Sequence, residues 1–208
     1  QEVTGYVEFT VTASDGEKIQ FSHGEILDQN GNFYNANYRS AKAEINYICH
    51  EGEQTWHPLL TFFGFRYIRL SAFPGKASPE QFSAIAVYSD IKKTGSLNCG
   101  IPQMNQLFSN VFWGQKGNFL DIPTDCPQRD ERLGWTGDAQ VFIKAASYNY
   151  DVEKFFRKWL HDLAAAQRKD GSIGTVKIPV LDINMKVWEG ETNESMRKGL
   201  GHYSSTSA

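Results

Sequence analysis

The chain has 208 residues with 40% hydrophobic and 13% aromatic content, enough for one large or two small cores. A net charge of −3 gives no reason to expect nucleic acid or an anionic membrane surface as a partner. No apolar run approaches the ~18 residues of a membrane-spanning helix, and no signal peptide is visible at the N-terminus. Three cysteines are too few and too scattered for a disulfide framework or a zinc site. We expect no metal and no other cofactor.

The first 92 residues have the pattern of β-strands. Apolar and polar residues alternate between Val7 and Ala13, which is typical of a half-buried strand. The Asp15-Gly16 turn leads into a second alternating run, and together they predict a β-hairpin. Further strands are expected at 43–49, 62–70 and 84–88. This spacing of short strands predicts an antiparallel β-sandwich domain over residues 1–92.

From residue 93 the apolar period becomes helical. Pro102 suits the first turn of a helix, and residues 139–147 are apolar and compatible with another. The clearest helix is expected at 151–167, with Asp151 as its N-cap. Its apolar stripe is expected in the core: Val152, Phe155, Phe156, Trp159, Leu160 and Leu163. The pattern fades after about residue 180, so the tail, residues 180–208, is atypical of a helical domain.

A charged segment at residues 118–140 interrupts the helical part of the chain. It contains five carboxylates, two arginines and one tryptophan, and its prolines and glycines break any regular element. A long charged loop between core helices is costly to order, and such loops are typically functional or disordered. Phe119, Leu120, Ile122, Leu133 and Trp135 give this loop apolar surface to bury, which favours an ordered functional site.

Clustered acids of this kind have three possible uses. A metal site is one, but the spacing fits no calcium loop and the neighbouring arginines oppose a divalent cation. A solvated acidic face is another, although the interleaved aromatic residues argue against it. Carbohydrate hydrolysis is the third. Carboxylates and arginine hold sugar hydroxyls, an aromatic ring stacks on the sugar, and a crowded carboxyl can serve as general acid.

Residues 123–140, PTDCPQRDERLGWTGDAQ, resemble the signature of bacterial and fungal α-L-rhamnosidases of glycoside hydrolase family 78. GFRYIRL at 64–70, HGEILDQNG at 23–31 and KWLHDLAAAQ at 158–167 are also similar to segments of that family. The resemblance implies a β-sandwich followed by the first helices of an (α/α)6 barrel over residues 93–208. It further implies an inverting hydrolysis of terminal α-L-rhamnose from rhamnose-containing glycosides or polysaccharides.

The same resemblance implies roles for individual residues. Glu131 matches the general acid, which protonates the leaving oxygen. Asp125, Arg129, Trp135 and Asp138 match residues that bind the rhamnose. These five residues are the predicted site.

The resemblance places the general base, a glutamate, far downstream of this sequence. We therefore expect a truncated form that is inactive alone, with an incomplete barrel that exposes apolar residues such as Phe155, Phe156 and Trp159. Two alternatives remain open: a carbohydrate-binding or structural remnant without catalysis, and another six-hairpin glycosidase acting on a different sugar.

Overall fold

A computed structural model describes residues 1–167, 172–178, 183–189 and 200–202. Contacts between Cα atoms divide the chain into two compact units. The first comprises Gln1–Asp90 and Leu97–Leu133, and the second comprises Ile91–Ser96 and Gly134–Ala208. The charged segment at residues 118–140 therefore contributes to both units.

The first unit contains a two-sheet sandwich. Its strands are β1 (Val3–Ala13), β2 (Lys18–Gly24), β3 (Ile26–Leu27), β4 (Phe33–Tyr34), β5 (Glu44–Ile48), β6 (Gly52–Trp56), β7 (Phe63–Phe65), β8 (Tyr67–Ala72) and β9 (Phe82–Ala86). In one sheet β1 pairs antiparallel with β6, β7 and β9, and in the other β2 pairs antiparallel with β5 and β8. The short strands β3 and β4 form a separate hairpin.

One hydrophobic core lies between the two sheets. Val7, Phe9 and Val11 of β1 are buried together with Ile19 and Phe21 of β2. The rings of Phe9 and Phe21 meet edge to face with centroids 6.3 Å apart. The predicted alternation of β1 and the antiparallel β-sandwich are therefore confirmed.

Two details of the strand prediction are wrong. β1 and β2 do not pair as a hairpin, because the turn at Gly16, with φ +84°, carries the chain from one sheet to the other. The expected strand at 62–70 is two strands, β7 in the first sheet and β8 in the second. Period-2 alternation identifies a strand but not its partner, since partners are chosen by long-range packing.

The first unit also includes a helix and a small hairpin. Helix α1 (Pro102–Asn118) begins at Pro102 as predicted, and β10 (Phe119–Leu120) pairs with β11 (Ile122–Pro123) directly after it. The backbone N–H of Ser89 donates to the carbonyl oxygen of Phe119 at 2.9 Å, which ties this hairpin to the segment that follows β9. The loop after β11 is thereby anchored on the sandwich.

The second unit contains helices α2 (Thr136–Asn149) and α3 (Glu153–Ala166). Both predicted helices are confirmed, but α3 is capped at Val152 and receives no side-chain cap from Asp151. Phe155, Phe156 and Trp159 are buried, which confirms the predicted core stripe and contradicts the exposure expected of an incomplete barrel. Leu160, expected in the core, is 57% exposed instead.

Strands follow the helices where no regular element was predicted. β12 (Ser172–Ile178) pairs antiparallel with β13 (Ile183–Glu189), and β13 pairs parallel with β14 (Leu200–His202). The sequence of β13, INMKVWE, carries a period-2 signal in Ile183, Met185 and Val187 that could have indicated it. The side chains of the tail lie outside the described residues. Within the part of the chain that the structure describes, no helix is long and apolar enough to cross a membrane.

Candidate active site

The loop that follows β11 is closed by hydrogen bonds at both ends. The N–H and hydroxyl of Thr124 donate to the carbonyl oxygen of Asn118 at 2.8 and 2.9 Å. Eight residues apart, Asp125 and Leu133 exchange two bonds: the N–H of Asp125 donates to the Leu133 carbonyl at 3.1 Å, and the N–H of Leu133 donates to Asp125 Oδ1 at 3.0 Å. Asp125 is therefore a structural element of the loop as well as a predicted site residue.

The same loop rests directly on β7 of the sandwich. A Cβ atom at Gly64 would lie 2.9 Å from Pro127 Cγ and from the backbone nitrogen of Gln128, so only glycine allows this approach. On its other side, the carbonyl oxygen of Gly64 accepts a 2.5 Å hydrogen bond from the buried Tyr38 hydroxyl. Arg132 Nη1 donates to the carbonyl oxygen of Phe62 at 3.0 Å. The sandwich thus fixes the loop on both sides of Glu131.

We expect Gly64→Ala to separate this loop from β7. The new methyl group would meet backbone atoms of Gln128, which cannot rotate away, so the free energy of unfolding should fall by about 1–3 kcal/mol. Urea unfolding of wild type and variant measures this difference. Gly114→Ala is the matched control, because its methyl meets no atom within 4 Å and improves a helix, so it should stabilise α1.

Four charged side chains form a continuous series, three of them on the loop and one on the sandwich. Arg129 Nη2 lies 3.7 Å from Asp125 Oδ2, and Arg129 Nη1 contacts Glu131 Oε2 directly. Arg39, at the end of the short 3-10 helix Ala36–Tyr38, brings its Nη1 to 3.4 Å from the same Glu131 oxygen. Side-chain exposure rises along the series from 10% at Asp125 through 21% at Arg129 and 34% at Glu131 to 57% at Arg39.

The backbone at the centre of this series is strained. Glu131 has φ +105° and Arg132 has φ +50°, in the left-handed region that side chains other than glycine rarely adopt. Such conformations cost about 1–3 kcal/mol each and are retained where the surroundings impose them, commonly at functional sites. Here the anchors at Phe62 and Leu133 impose the geometry, and the Glu131 carboxylate is presented to solvent between two arginines.

The remaining two predicted site residues belong to the second unit. Trp135 is half-buried and precedes α2, and its carbonyl oxygen accepts the first helical hydrogen bond, from Ala139, at 3.1 Å. Asp138 is exposed in the first turn of α2, where the helix dipole favours a carboxylate. Gly134 packs against Trp159 of α3, and a Cβ there would lie 2.5 Å from Trp159 Nε1. This close packing sets where α2 begins.

Asp125, Cys126 and Glu131 are grouped so that they could hold a metal ion, with one ligand atom of each within 4.8 Å of the others. Arg129 pairs with both carboxylates of that group and already neutralises their charge. Burial raises the pKa of the Cys126 thiol, which disfavours the thiolate that binds metals. The donor set is therefore poorly suited to a cation.

The structure brings Asp125, Arg129 and Glu131 together as one cluster and adds Arg39, which the sequence analysis did not identify. Arg39 lies 92 positions before Glu131, in a stretch without a motif. Its position depends on a φ of +56° and on the packing of the neighbouring Tyr38, neither of which follows from local sequence. No pattern in the sequence pointed to this residue.

Comparison with known proteins identifies both halves of the chain. A model of the bacterial alpha-L-rhamnosidase concanavalin-like domain matches residues 1–88, and a model of the bacterial alpha-L-rhamnosidase 6 hairpin glycosidase domain matches residues 92–193. An alpha-L-rhamnosidase of Streptomyces avermitilis is 42% identical over 85% of this chain and 17% of its own length. One of Formosa agariphila is 42% identical over 91% of this chain and 21% of its own.

Solved structures give the same result. The α-L-rhamnosidase of Dictyoglumus thermophilum superposes with a TM-score of 0.79 at 35% identity, covering 88% of this chain and 20% of that one. The Streptomyces avermitilis α-L-rhamnosidase complexed with L-rhamnose gives a TM-score of 0.79 at 40% identity, covering 88% and 17%. The chain spans about a fifth of the length of the curated relatives it matches.

Proposed function

The chain belongs to the bacterial α-L-rhamnosidase family, and on that premise we propose that it carries the acid side of a glycosidase active site. The reaction is hydrolysis of terminal α-L-rhamnose from rhamnose-containing glycosides. The observation that supports this function is the Glu131 carboxylate, held on a strained backbone between two arginines and close to the half-buried Asp125.

Glu131 is the general acid in this proposal. Cleavage of the glycosidic bond transfers its proton to the leaving oxygen, while the bond from that oxygen to the anomeric carbon breaks. The strained backbone and the anchors at Phe62 and Leu133 restrict the carboxyl to one position. A fixed acid is effective because its orientation costs no further entropy when the substrate binds.

The rhamnose is held by the remaining predicted residues. Asp125 and Arg129 offer a carboxylate and a guanidinium that are already oriented by each other, which suits neighbouring ring hydroxyls. Trp135 and Asp138 follow within the same sequence signature, and we assign them to the sugar ring on that basis. The aromatic ring of Trp135 packs against the C–H face of the sugar.

The mechanism we propose is inverting, with the general base contributed from outside these described residues. An inverting pair needs carboxyl groups about 6.5–9.5 Å apart to admit a water molecule. Asp125 cannot be that base, because its carboxylate lies within 4.8 Å of the Glu131 carboxylate and is already bonded to Leu133 and Arg129. On this proposal the described residues bind the rhamnose and supply the acid, whereas activation of water is left to a carboxylate outside them.

Assay of the purified chain on an aryl α-L-rhamnoside tests these assignments. We expect L-rhamnose binding by calorimetry but no release of the aryl group in water. Added azide replaces the missing activated water: it attacks the anomeric carbon as the aryl oxygen leaves, and the product is the inverted β-rhamnosyl azide. With a poorly activated aryl group this reaction should fall by about 100-fold or more in Glu131→Gln, because the variant has no proton to donate.

The possible results separate the parts of the proposal. If the chain hydrolyses the rhamnoside in water and Glu131→Gln abolishes that activity, Glu131 is supported as the general acid. The same result would refute the claim that these residues lack a base. A retained rather than inverted azide would point to Asp125 as a nucleophile. Failure to bind L-rhamnose would refute the site altogether.

A further inference from the structure

We propose that Arg39 forms a leaving-group subsite that prefers a rhamnoside whose leaving residue carries a carboxylate, as a uronic acid does. The inference rests on the proposed function and deepens it, because it names the substrate class. Its basis is the position of Arg39 beside Glu131 and the charge balance that results when the acid is protonated.

The exposure of the four charged side chains indicates which end of the site takes the terminal sugar and which end takes the leaving group. Asp125, at the buried end, has 10% of its side chain exposed, whereas Arg39, at the open end, has 57% exposed. A terminal sugar enters such a site at the closed end, and the remainder of the substrate extends towards solvent. Because Glu131 stands between these ends and protonates the bond between the two sugar residues, Arg39 lies on the leaving-group side.

Protonation of the acid leaves Arg39 without a counter-charge. A general acid must carry its proton when the substrate is bound, so the negative charge on Glu131 is absent at that moment. Arg129 retains Asp125 at 3.7 Å. Arg39 has Glu131 as its ion-pair partner, and the described residues provide no second carboxylate within 4.0 Å of its guanidinium. A carboxylate on the leaving residue would neutralise the charge of Arg39, and its two oxygens match the two parallel N–H donors of a guanidinium.

The backbone of Arg39 is fixed although its side chain is solvated. Its N–H donates to the carbonyl oxygen of Ala36 at 3.3 Å, and the preceding Tyr38 is buried and bonded to Gly64, the same residue on which the loop rests. The subsite residue and the acid are therefore positioned by one piece of the sandwich. The free N–H groups of the guanidinium remain available for a ligand.

Calorimetry on the full 208-residue chain tests the proposal with two matched ligands. One is a rhamnosyl glucuronate, and the other is the rhamnosyl glucose made by reducing its carboxyl group. We expect wild type to bind the uronate about fivefold more tightly at low salt, the factor that an exposed ion pair supplies, and less so at high salt. Arg39→Gln should abolish the preference, measured as the ratio of the two affinities, while Arg39→Lys should keep part of it.

Arg157→Gln is the matched control, because it removes an exposed guanidinium whose partner, Glu153, is on its own helix. It should keep the full preference for the uronate. Equal binding of both ligands to wild type, or a preference that survives Arg39→Gln, would overturn the subsite while L-rhamnose binding still supports the proposed function. Loss of L-rhamnose binding by wild type would instead refute the proposed function, and the subsite with it.

Discussion

The Asp125→Ala variant is expected to lose L-rhamnose affinity by about 100-fold or more, the largest effect on binding among single substitutions in the loop. Three interactions disappear together: the bond from the Leu133 N–H, the pairing with Arg129 and the proposed contact with the sugar. A hydrogen bond that involves a charged group contributes about 1.5–3 kcal/mol, so the lost sugar contact alone accounts for about tenfold to 100-fold, and the release of Arg129 and of the loop at Leu133 adds to it. Calorimetric titration with L-rhamnose measures it.

Two further variants show which interaction matters. Asp125→Asn keeps an oxygen acceptor for the Leu133 N–H but removes the charge. Its affinity for L-rhamnose should therefore lie between that of wild type and that of Asp125→Ala. Asp130→Ala removes an exposed carboxylate from the same loop and should change affinity less than about twofold. Equal losses for Asp125→Ala and Asp130→Ala would mean that overall charge, rather than this site, determines binding.

The sandwich is expected to lose about 3 kcal/mol of stability between pH 6.5 and pH 4 because of His23 alone. His23 is fully buried, and burial lowers its pKa from the ordinary 6.5 to about 4. Below pH 6.5 His23 is protonated in the unfolded chain, whereas in the folded chain it stays neutral until about pH 4. The free energy of unfolding therefore falls as the pH falls across that interval.

The surroundings of His23 explain why the folded protein keeps it neutral. Nδ1 lies 3.0 Å from the carbonyl oxygen of Ala43, which makes Nδ1 the protonated nitrogen. The ring stacks on Phe63 with centroids 4.0 Å apart, and the buried Nε2 has no hydrogen-bond partner among the described residues. A second proton on Nε2 would place an unmatched charge among aromatic rings.

Urea unfolding at several pH values tests this expectation. His23→Phe keeps an aromatic ring against Phe63 but cannot titrate, so its stability should change less with pH than that of wild type, by about 3 kcal/mol over the interval. His50→Gln, a change at an exposed histidine, should leave the wild-type slope intact. An unchanged slope in His23→Phe would show that other groups cause the acid sensitivity.

Local patterns in the sequence predicted the elements but not their partners. The alternation in β1, the start of α1 at Pro102 and the apolar stripe of α3 all depend on neighbours along the chain. Each was confirmed apart from the exposed Leu160 and the half-buried Leu163. The false hairpin between β1 and β2 shows the limit, because sheet membership depends on contacts far apart in sequence. β13 was missed although its alternation was present in the sequence.

In the candidate site, too, local sequence predicted some residues, whereas others depend on contacts far apart in the chain. Asp125, Arg129 and Glu131 were found because they share one signature, and the structure places them in one cluster. Their roles in catalysis, and those of Trp135 and Asp138, stay predictions. Arg39 and the strained backbone at Glu131 could not be predicted, since both arise where the sandwich meets the loop.

At Glu131 the residue that would best stabilise the fold differs from the residue that the proposed reaction needs. Glycine adopts a φ near +105° with little steric cost, so a glycine at position 131 would make the folded state more stable. Glycine, however, has no proton to give. A selection for thermal stability alone would therefore favour replacing Glu131, and the resulting variant would have lost the carboxyl that we propose as the general acid.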